Sequence, residues 1–251
     1  MDLKIVSFNI RYTDDLNGHS IRERAPRLAK AVCPLDPDII GFQEYRPAWE
    51  EYIDKYFLDK YDMFFKYRND IDIEAAPLLW KKDKFDCLKT GYFWLSDTPE
   101  TESNGWDDCG CYRICTYGIL RDKKTGKTFT FMNTHLGFGD KWQVKSAELI
   151  DEYSKRISDH PTVITGDFNM SPESIAYKAM TAHFTDVNAA TVNDLRNTFH
   201  DYKKEGTGIK DHIDYCFVTD DIRPIDQKII DKTFNGKFPS DHYGLEIDVE
   251  I

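Results

Sequence analysis

Residues able to do chemistry recur at the ends of apolar runs in this sequence. Asn9 lies near the end of Leu3–Ile10, Glu44 follows Ile39-Ile40-Gly41-Phe42-Gln43, and His135 closes the run from Phe129. Asp167 and Asn169 follow Val163-Ile164-Thr165-Gly166, Asp214 sits inside His212-Ile213-Asp214-Tyr215, and Asp241-His242 directly precede a last apolar segment. Carboxylate and amide oxygens suit hard cations, and imidazoles move protons near neutral pH. Taken singly, each has an ordinary explanation. Asp and Asn after a strand serve as turn or cap residues, a lone His is commonly a hydrogen-bonded structural residue, and Glu44 alone reads as a solvated charge. Eight such residues at six places in order point instead to strand ends converging on one sheet edge, where loops build sites.

The elements that must position them alternate along the chain. Leu3–Ile10 reads as a largely buried strand, and Ser20 with Glu23 has capping-box spacing ahead of Ala25, Leu28, Ala29 and Val32 at helical spacing. Pro34 and Pro37 stop that helix before a short strand over 39–42, and a second helix is expected from Pro47 to about Phe57. Strands are expected over 63–67, 78–80, 114–120 and 128–135, with a hairpin turn at Lys123-Lys124-Thr125-Gly126. Ala147, Ile150, Tyr153 and Ile157 mark an amphipathic helix, and 162–165 another strand. Ser171-Pro172 predicts the start of a further helix, and 213–218 and 245–251 are late strands. Many strands with interspersed helices predict an α/β protein of two packed sheets covered by helices. With no repeat, low-complexity segment or Gly/Ser linker, one domain over 1–251 is expected.

Composition narrows the class. The 251 residues are 41% hydrophobic and 31% charged, enough for a sizeable core and unlike a disordered chain. No apolar run approaches the roughly 20 residues of a membrane helix. The start, Met1-Asp2-Leu3-Lys4-Ile5, enters a strand-like pattern without a basic stretch or signal segment, so a cytoplasmic location is the default expectation. Cys33, Cys87, Cys109, Cys111, Cys115 and Cys216 form no CxxC pair and read as reduced thiols in and around a core. A net charge of −11 opposes nonspecific binding to long duplex DNA. It does not oppose a phosphate substrate, because a carboxylate-built site recruits cations that offset the charge.

Ser-Phe-Asn9-Ile, Gly-Phe-Gln-Glu44, Asn-Thr-His135-Leu, Gly-Asp167-Phe-Asn169, Ile-Asp214-Tyr and Ser-Asp241-His242 together resemble the ordered motifs of the endonuclease/exonuclease/phosphatase superfamily, the DNase I-like group. The resemblance implies a four-layer α/β sandwich, two mixed β-sheets face to face with helices outside. It implies a divalent-metal-dependent phosphoesterase using Mg²⁺ or Mn²⁺, with Glu44 the principal metal ligand, Asn9 beside it and Asp241 a further ligand. Asp167 would orient or deprotonate the attacking water and Asn169 would position that water or a phosphoryl oxygen. His135 and His242 would donate to phosphate oxygens, Asp214 would orient one histidine, and Arg113 would contact phosphate. Trp94-Leu95-Ser96-Asp97-Thr98-Pro99, Gly105-Trp106-Asp107 and Arg113 resemble a bacterial branch with poorly defined substrates, from which Gly137 and Lys145 depart. The expected partner is a phosphate-ester substrate, a nucleic acid or a small phosphodiester, phospholipid head group or inositol phosphate; no obligate protein partner is expected. Tyr92, Phe93, Trp94, Trp106 and Trp142 either stack on such a substrate or belong to the core. Two rivals remain: a glycoside hydrolase, which also needs paired carboxylates, and a catalytically inactive binding module on the same fold.

Overall fold

The computed structural model describes residues 1–106, 110–203 and 211–251; Asp107 and Cys109 lie outside the described residues. Two six-stranded mixed sheets carry the structure. In the first, the order runs β11 (Arg223–Ile230), β12 (Gly244–Glu250), β1 (Asp2–Asn9), β2 (Ile39–Gln43), β4 (Leu78–Lys81) and β3 (Tyr61–Phe64). In the second, it runs β5 (Phe85–Trp94), β6 (Ile114–Asp122), β7 (Thr128–His135), β8 (Thr162–Asp167), β10 (Asp214–Val218) and β9 (Thr185–Asp186).

Three apolar layers hold four structural ones. Leu3, Ile5, Ile39, Leu245 and Ile247 of the first sheet pack against Leu120, Phe129, Phe131, Val163 and Cys216 of the second. Because strand side chains alternate between faces, Val6, Phe8, Ile40 and Phe42 face outward, onto Ala25 and Leu28 of α1 (Ile21–Val32) and Ile53 and Phe57 of α2 (Glu50–Phe57). On the far side Met132, Ile164 and Phe217 meet Ala147 and Ile150 of α3 (Asp140–Ile157) and Ala176 and Met180 of α4 (Ile175–Thr181). This is the four-layer α/β sandwich that the motifs imply.

Between the sheets, just below the strand ends, the packing turns polar. Gln43 Nε2 donates to Asn133 Oδ1 at 2.8 Å, Thr165 Oγ1 donates to the same oxygen at 3.1 Å, and Asn133 Nδ2 donates to the Phe42 and Pro77 carbonyls at 2.7 and 3.0 Å. A Cβ at Gly41 would lie 2.4 Å from Thr165 Oγ1, so only glycine lets the sheets approach here. Buried amides with their partners in place fix the register of one sheet on the other, and therefore the spacing of the residues one step further along each strand.

Several expectations need correction. The strands β5 and β11 are largely polar in sequence, the apolar residues of β5 lying mostly at its end (Tyr92-Phe93-Trp94), and both are sheet edges. Edge strands tolerate polar and proline residues: the middle of β5 is exposed, and β11 carries Pro224 beside a register shift. The strand expected at 63–67 is Tyr61–Phe64, and α3 begins at Asp140, well before Ala147. Ser171-Pro172 forms a turn rather than a helix start; α4 is capped by Ser174, whose Oγ accepts from the Tyr177 amide at 3.0 Å. Pro47–Trp49 is a 3₁₀ turn leading into α2. Among the described residues, no helix is long and apolar enough to cross a membrane.

Candidate active site

Each sheet contributes a parallel pair flanked by an antiparallel strand, and the two trios end together. In the first, Asn9 lies beside Gln43, so Glu44 is the next residue outward, and Asp241-His242 enter β12, which runs antiparallel to β1. In the second, His135 lies beside Asp167, and Asp214 at the start of β10 pairs with Asp167 across an antiparallel ladder. Glu44 and Asn169 take left-handed conformations, φ 62° and 50°, which turn the chain sharply just past β2 and β8.

The side chains form one connected cluster. Asn9 Nδ2 donates to Glu44 Oε1 at 3.0 Å and to Asp167 Oδ2 at 2.9 Å, tying the sheets together through a single amide. The other Glu44 oxygen accepts from the Tyr12 amide at 2.9 Å. His242 Nε2 lies 3.8 Å from Asp167 Oδ2 while its Nδ1 lies 2.9 Å from Asp214 Oδ2. His135 Nε2 stands 3.6 Å from the same Asp167 oxygen. Asn169 is pinned, its backbone amide donating to Asp167 Oδ1 at 3.0 Å and its Nδ2 to the Leu136 carbonyl at 2.9 Å. Asp241 accepts from Ser240 at 3.1 Å and lies 3.5 Å from Arg11 Nε. These groups, Asn9 and Asp214 apart, line one cavity of about 480 Å³. Arg113 lines it too, donating weakly to the His135 carbonyl at 3.4 Å, with its Nε buried and unbonded among the described residues.

Two functional neighbours escape the sequence reading. Glu74 is buried with its Oε1 3.2 Å from His135 Nδ1, and it forms close ion pairs with Arg68 and, at 4.0 Å, with Arg46. Arg11 bridges Asp15 and Asp241 at the cavity wall. Arg11 stands just past the Leu3–Ile10 run but reads there as an ordinary surface charge. Glu74 follows no long apolar run and reaches the site because Tyr45 and Ala75 exchange backbone hydrogen bonds of 3.1 and 2.8 Å, which lays its loop beside Glu44. None of Tyr92, Phe93, Trp94, Trp106 and Trp142 lines this cavity; its aromatic lining is Tyr12, Phe138 and Phe199. Phe93, Trp94 and Trp106 are core residues. Lys145 pairs with Asp97 at 3.6 Å away from the cavity, and the Gly137 carbonyl accepts from Gln143 at 2.9 Å. Cys115 and Cys216 are buried core thiols, while Cys33 and Cys87 are at the surface.

Burial and charge set the protonation states. Burial works against a charge on His242, but Asp214, with Asp167 and Asp241 behind it, outweighs it and pushes the pKa up to about 10. Burial drives His135 the other way, helped by Arg113, down to about 3. Burial also raises Asp167 and Asp241 above the usual carboxylate range. So many buried carboxylates around one cavity fit a hard divalent cation: Glu44, His135 and Asp167 bring one ligand atom each within 4.8 Å of one another, as do Asp167, Asp214 and His242. Asn9 turns its amide nitrogen to Glu44 and Asp167, while its oxygen accepts from the Arg11 amide at 3.0 Å.

The model of the Endonuclease/Exonuclease/phosphatase family matches residues 6–242, and the chain belongs to that family. Its architecture is close to solved bacterial members. A family protein from Bacteroides thetaiotaomicron is 28% identical with a TM-score of 0.91, the match covering 99% of this chain and 97% of that one. Another from Bacteroides vulgatus is 30% identical with a TM-score of 0.90, covering 100% and 99%. A Bacteroides thetaiotaomicron mannosyl-6-phosphatase is 28% identical with a TM-score of 0.89, covering 99% and 100%.

Proposed function

We propose that the protein is a divalent-metal-dependent phosphoesterase that hydrolyses a small phosphate ester by attack of an activated water. The observation that carries this reading is the Asn9 amide joining Glu44 to Asp167 beside the His242–Asp214 pair. Similarity to a mannosyl-6-phosphatase along both whole chains supports a phosphomonoester, a sugar phosphate first among them.

In this reading Glu44 and Asp241, with Asn9 beside them, would hold Mg²⁺ or Mn²⁺. The bound cation supplies charge that offsets the phosphoryl oxygens. Asp167, buried and within hydrogen-bonding distance of Asn9, accepts the proton of the attacking water. Asn169, locked by Asp167 and Leu136, orients that water. His242, protonated above neutral pH because of Asp214, donates from Nε2 to the charge that develops on phosphate. His135 stays a neutral imidazole between Glu74 at its Nδ1 and Asp167 at its Nε2, and Arg113 brings its guanidinium charge to the cavity wall beside the phosphoryl oxygens.

The test is hydrolysis of 4-nitrophenyl phosphate, bis(4-nitrophenyl) phosphate, hexose 6-phosphates, inositol phosphates and single-stranded nucleic acid, with Mg²⁺ or Mn²⁺ and after chelation. Turnover abolished by chelation, restored by either ion and lost in folded Asp167→Asn supports the reading. Full turnover after exhaustive chelation overturns the metal requirement. A folded, metal-binding protein inactive on the whole panel favours a binding module.

A further inference from the structure

A phosphoryl group occupies only part of a 480 Å³ cavity, so the remaining wall must meet the alcohol that leaves. The cavity lining includes Phe138, whose side chain is 71% exposed, and the half-buried Phe199 and Ile213. An exposed phenyl is unremarkable on a loose loop. Here the backbone on both sides of it is fastened. The Leu136 amide donates to the Asp167 carbonyl at 2.8 Å, and Gln143 Nε2 holds the Gly137 and Asn169 carbonyls at 2.9 and 2.7 Å. On the other side Gly139, at φ 99°, starts α3 and accepts from the Trp142 and Gln143 amides at 3.0 and 3.1 Å. The fold therefore presents a ring to solvent from the same short segment that holds Asn169. Phe199 is fixed in a similar way: its amide donates to the Asp211 carbonyl at 2.9 Å, and its ring lies 5.0 Å from the His242 ring.

We propose that Phe138, with Phe199 beside His242, forms a leaving-group subsite that selects phosphate esters of cyclic alcohols presenting a flat face to a phenyl ring. The inference rests on the phosphoesterase reading and adds the chemistry of the leaving group. A ring laid on phenyl keeps its dispersion and face contacts without giving up the hydrogen bonds of its hydroxyls, which an acyclic chain satisfies only by ordering several torsions. Pyranosyl and aryl or nucleoside alcohols share that flat face, and the test separates them.

The experiment compares kcat and KM of wild type, Phe138→Ala and Phe138→Tyr on an aryl ester, a hexose 6-position ester, a nucleoside 5′-ester and a glycerol ester, each as the mono- or diester that the wild-type protein turns over. Phe138 is mostly exposed, so the variants are expected to fold. The expected result is a loss in kcat/KM of about 5- to 20-fold on cyclic substrates in Phe138→Ala. The loss is expected in KM, with recovery in Phe138→Tyr and change within about twofold on the glycerol ester. The cyclic substrate losing most identifies the alcohol. Equal losses on all esters, or none on any, overturn the subsite while leaving the phosphoesterase reading standing. A wild-type protein inactive on every ester overturns that reading itself.

Discussion

His135 and His242 approach the same oxygen of Asp167 from different sheets, at 3.6 and 3.8 Å, and each has a carboxylate behind its other nitrogen. Their charge states nevertheless diverge, toward about 3 for His135 and about 10 for His242. The difference lies one step further out. Asp214 has His242 as its ion-pair partner, and its other oxygen is buried without a hydrogen bond among the described residues. Glu74 is already paired with the buried Arg68 and with Arg46, and Arg113 adds positive charge near His135. A carboxylate shared with guanidinium groups has little field left for an imidazole. Two similar dyads thus yield one imidazolium and one neutral imidazole around a single carboxylate.

Substitutions can break or sharpen that contrast. The largest effect is expected from His242→Ala, which removes the imidazolium: kcat should fall by about 10³-fold with the circular dichroism spectrum intact. A smaller fall than that of His135→Ala would reverse the assignment of the charged histidine. Next, Asp214→Asn keeps the ring in place but removes the largest field that charges it, and about 10²-fold in kcat is expected at pH 8, less at lower pH where Asp167 and Asp241 favour protonation. The same carboxylate-to-amide change at Glu74 should cost only about tenfold in kcat, yet about 3 kcal/mol in stability because buried Arg68 loses its buried partner and keeps only the more exposed Asp72. Denaturant titration beside steady-state kinetics checks both halves; equal kinetic losses at Asp214 and Glu74 would erase the distinction between the dyads.

The most gradual effect is in stability against pH, measured with the metal chelated. A raised histidine contributes stability that is complete below its unfolded value near 6.5 and is lost as pH rises toward about 10, which is the His242 case. A depressed one contributes stability that is complete above 6.5 and is lost as pH falls toward about 3, which is the His135 case. Each limb should slope by on the order of 1 kcal/mol per pH unit. His242→Asn should flatten the alkaline limb and His135→Asn the acid limb; loss of the same limb in both variants would contradict the opposed charge states.

Much of the candidate site was legible because it follows strands buried on both faces. Such strands read as near-continuous apolar runs, so Asn9, Glu44, His135 and Asp167 announce themselves as polar residues where the runs stop. Glu74 was not legible, since its loop is placed by backbone hydrogen bonds with Tyr45, and Arg11, though it stands just past β1, gives no sign in the sequence of its pairing with Asp241. The edges were illegible for the opposite reason: β5 and β11 are held by backbone pairing with one neighbour and need no apolar pattern. The α4 start misled because Ser171-Pro172 and Ser174 are both competent caps, and packing of Ala176 and Met180 on the second sheet decides between them.

By itself, then, the sequence determined the two-sheet α/β character and the order of the chemical residues, because burial period and polar interruptions are local properties of the chain. The tertiary structure alone decided which residues meet. Asn9 and Asp167 are 158 positions apart and share a hydrogen bond because the buried Gln43–Asn133–Thr165 seam sets one sheet on the other. It alone decided the charge of each histidine as well, since that depends on desolvation and on distant side chains whose fields act over a few ångströms of space and leave no mark on sequence spacing.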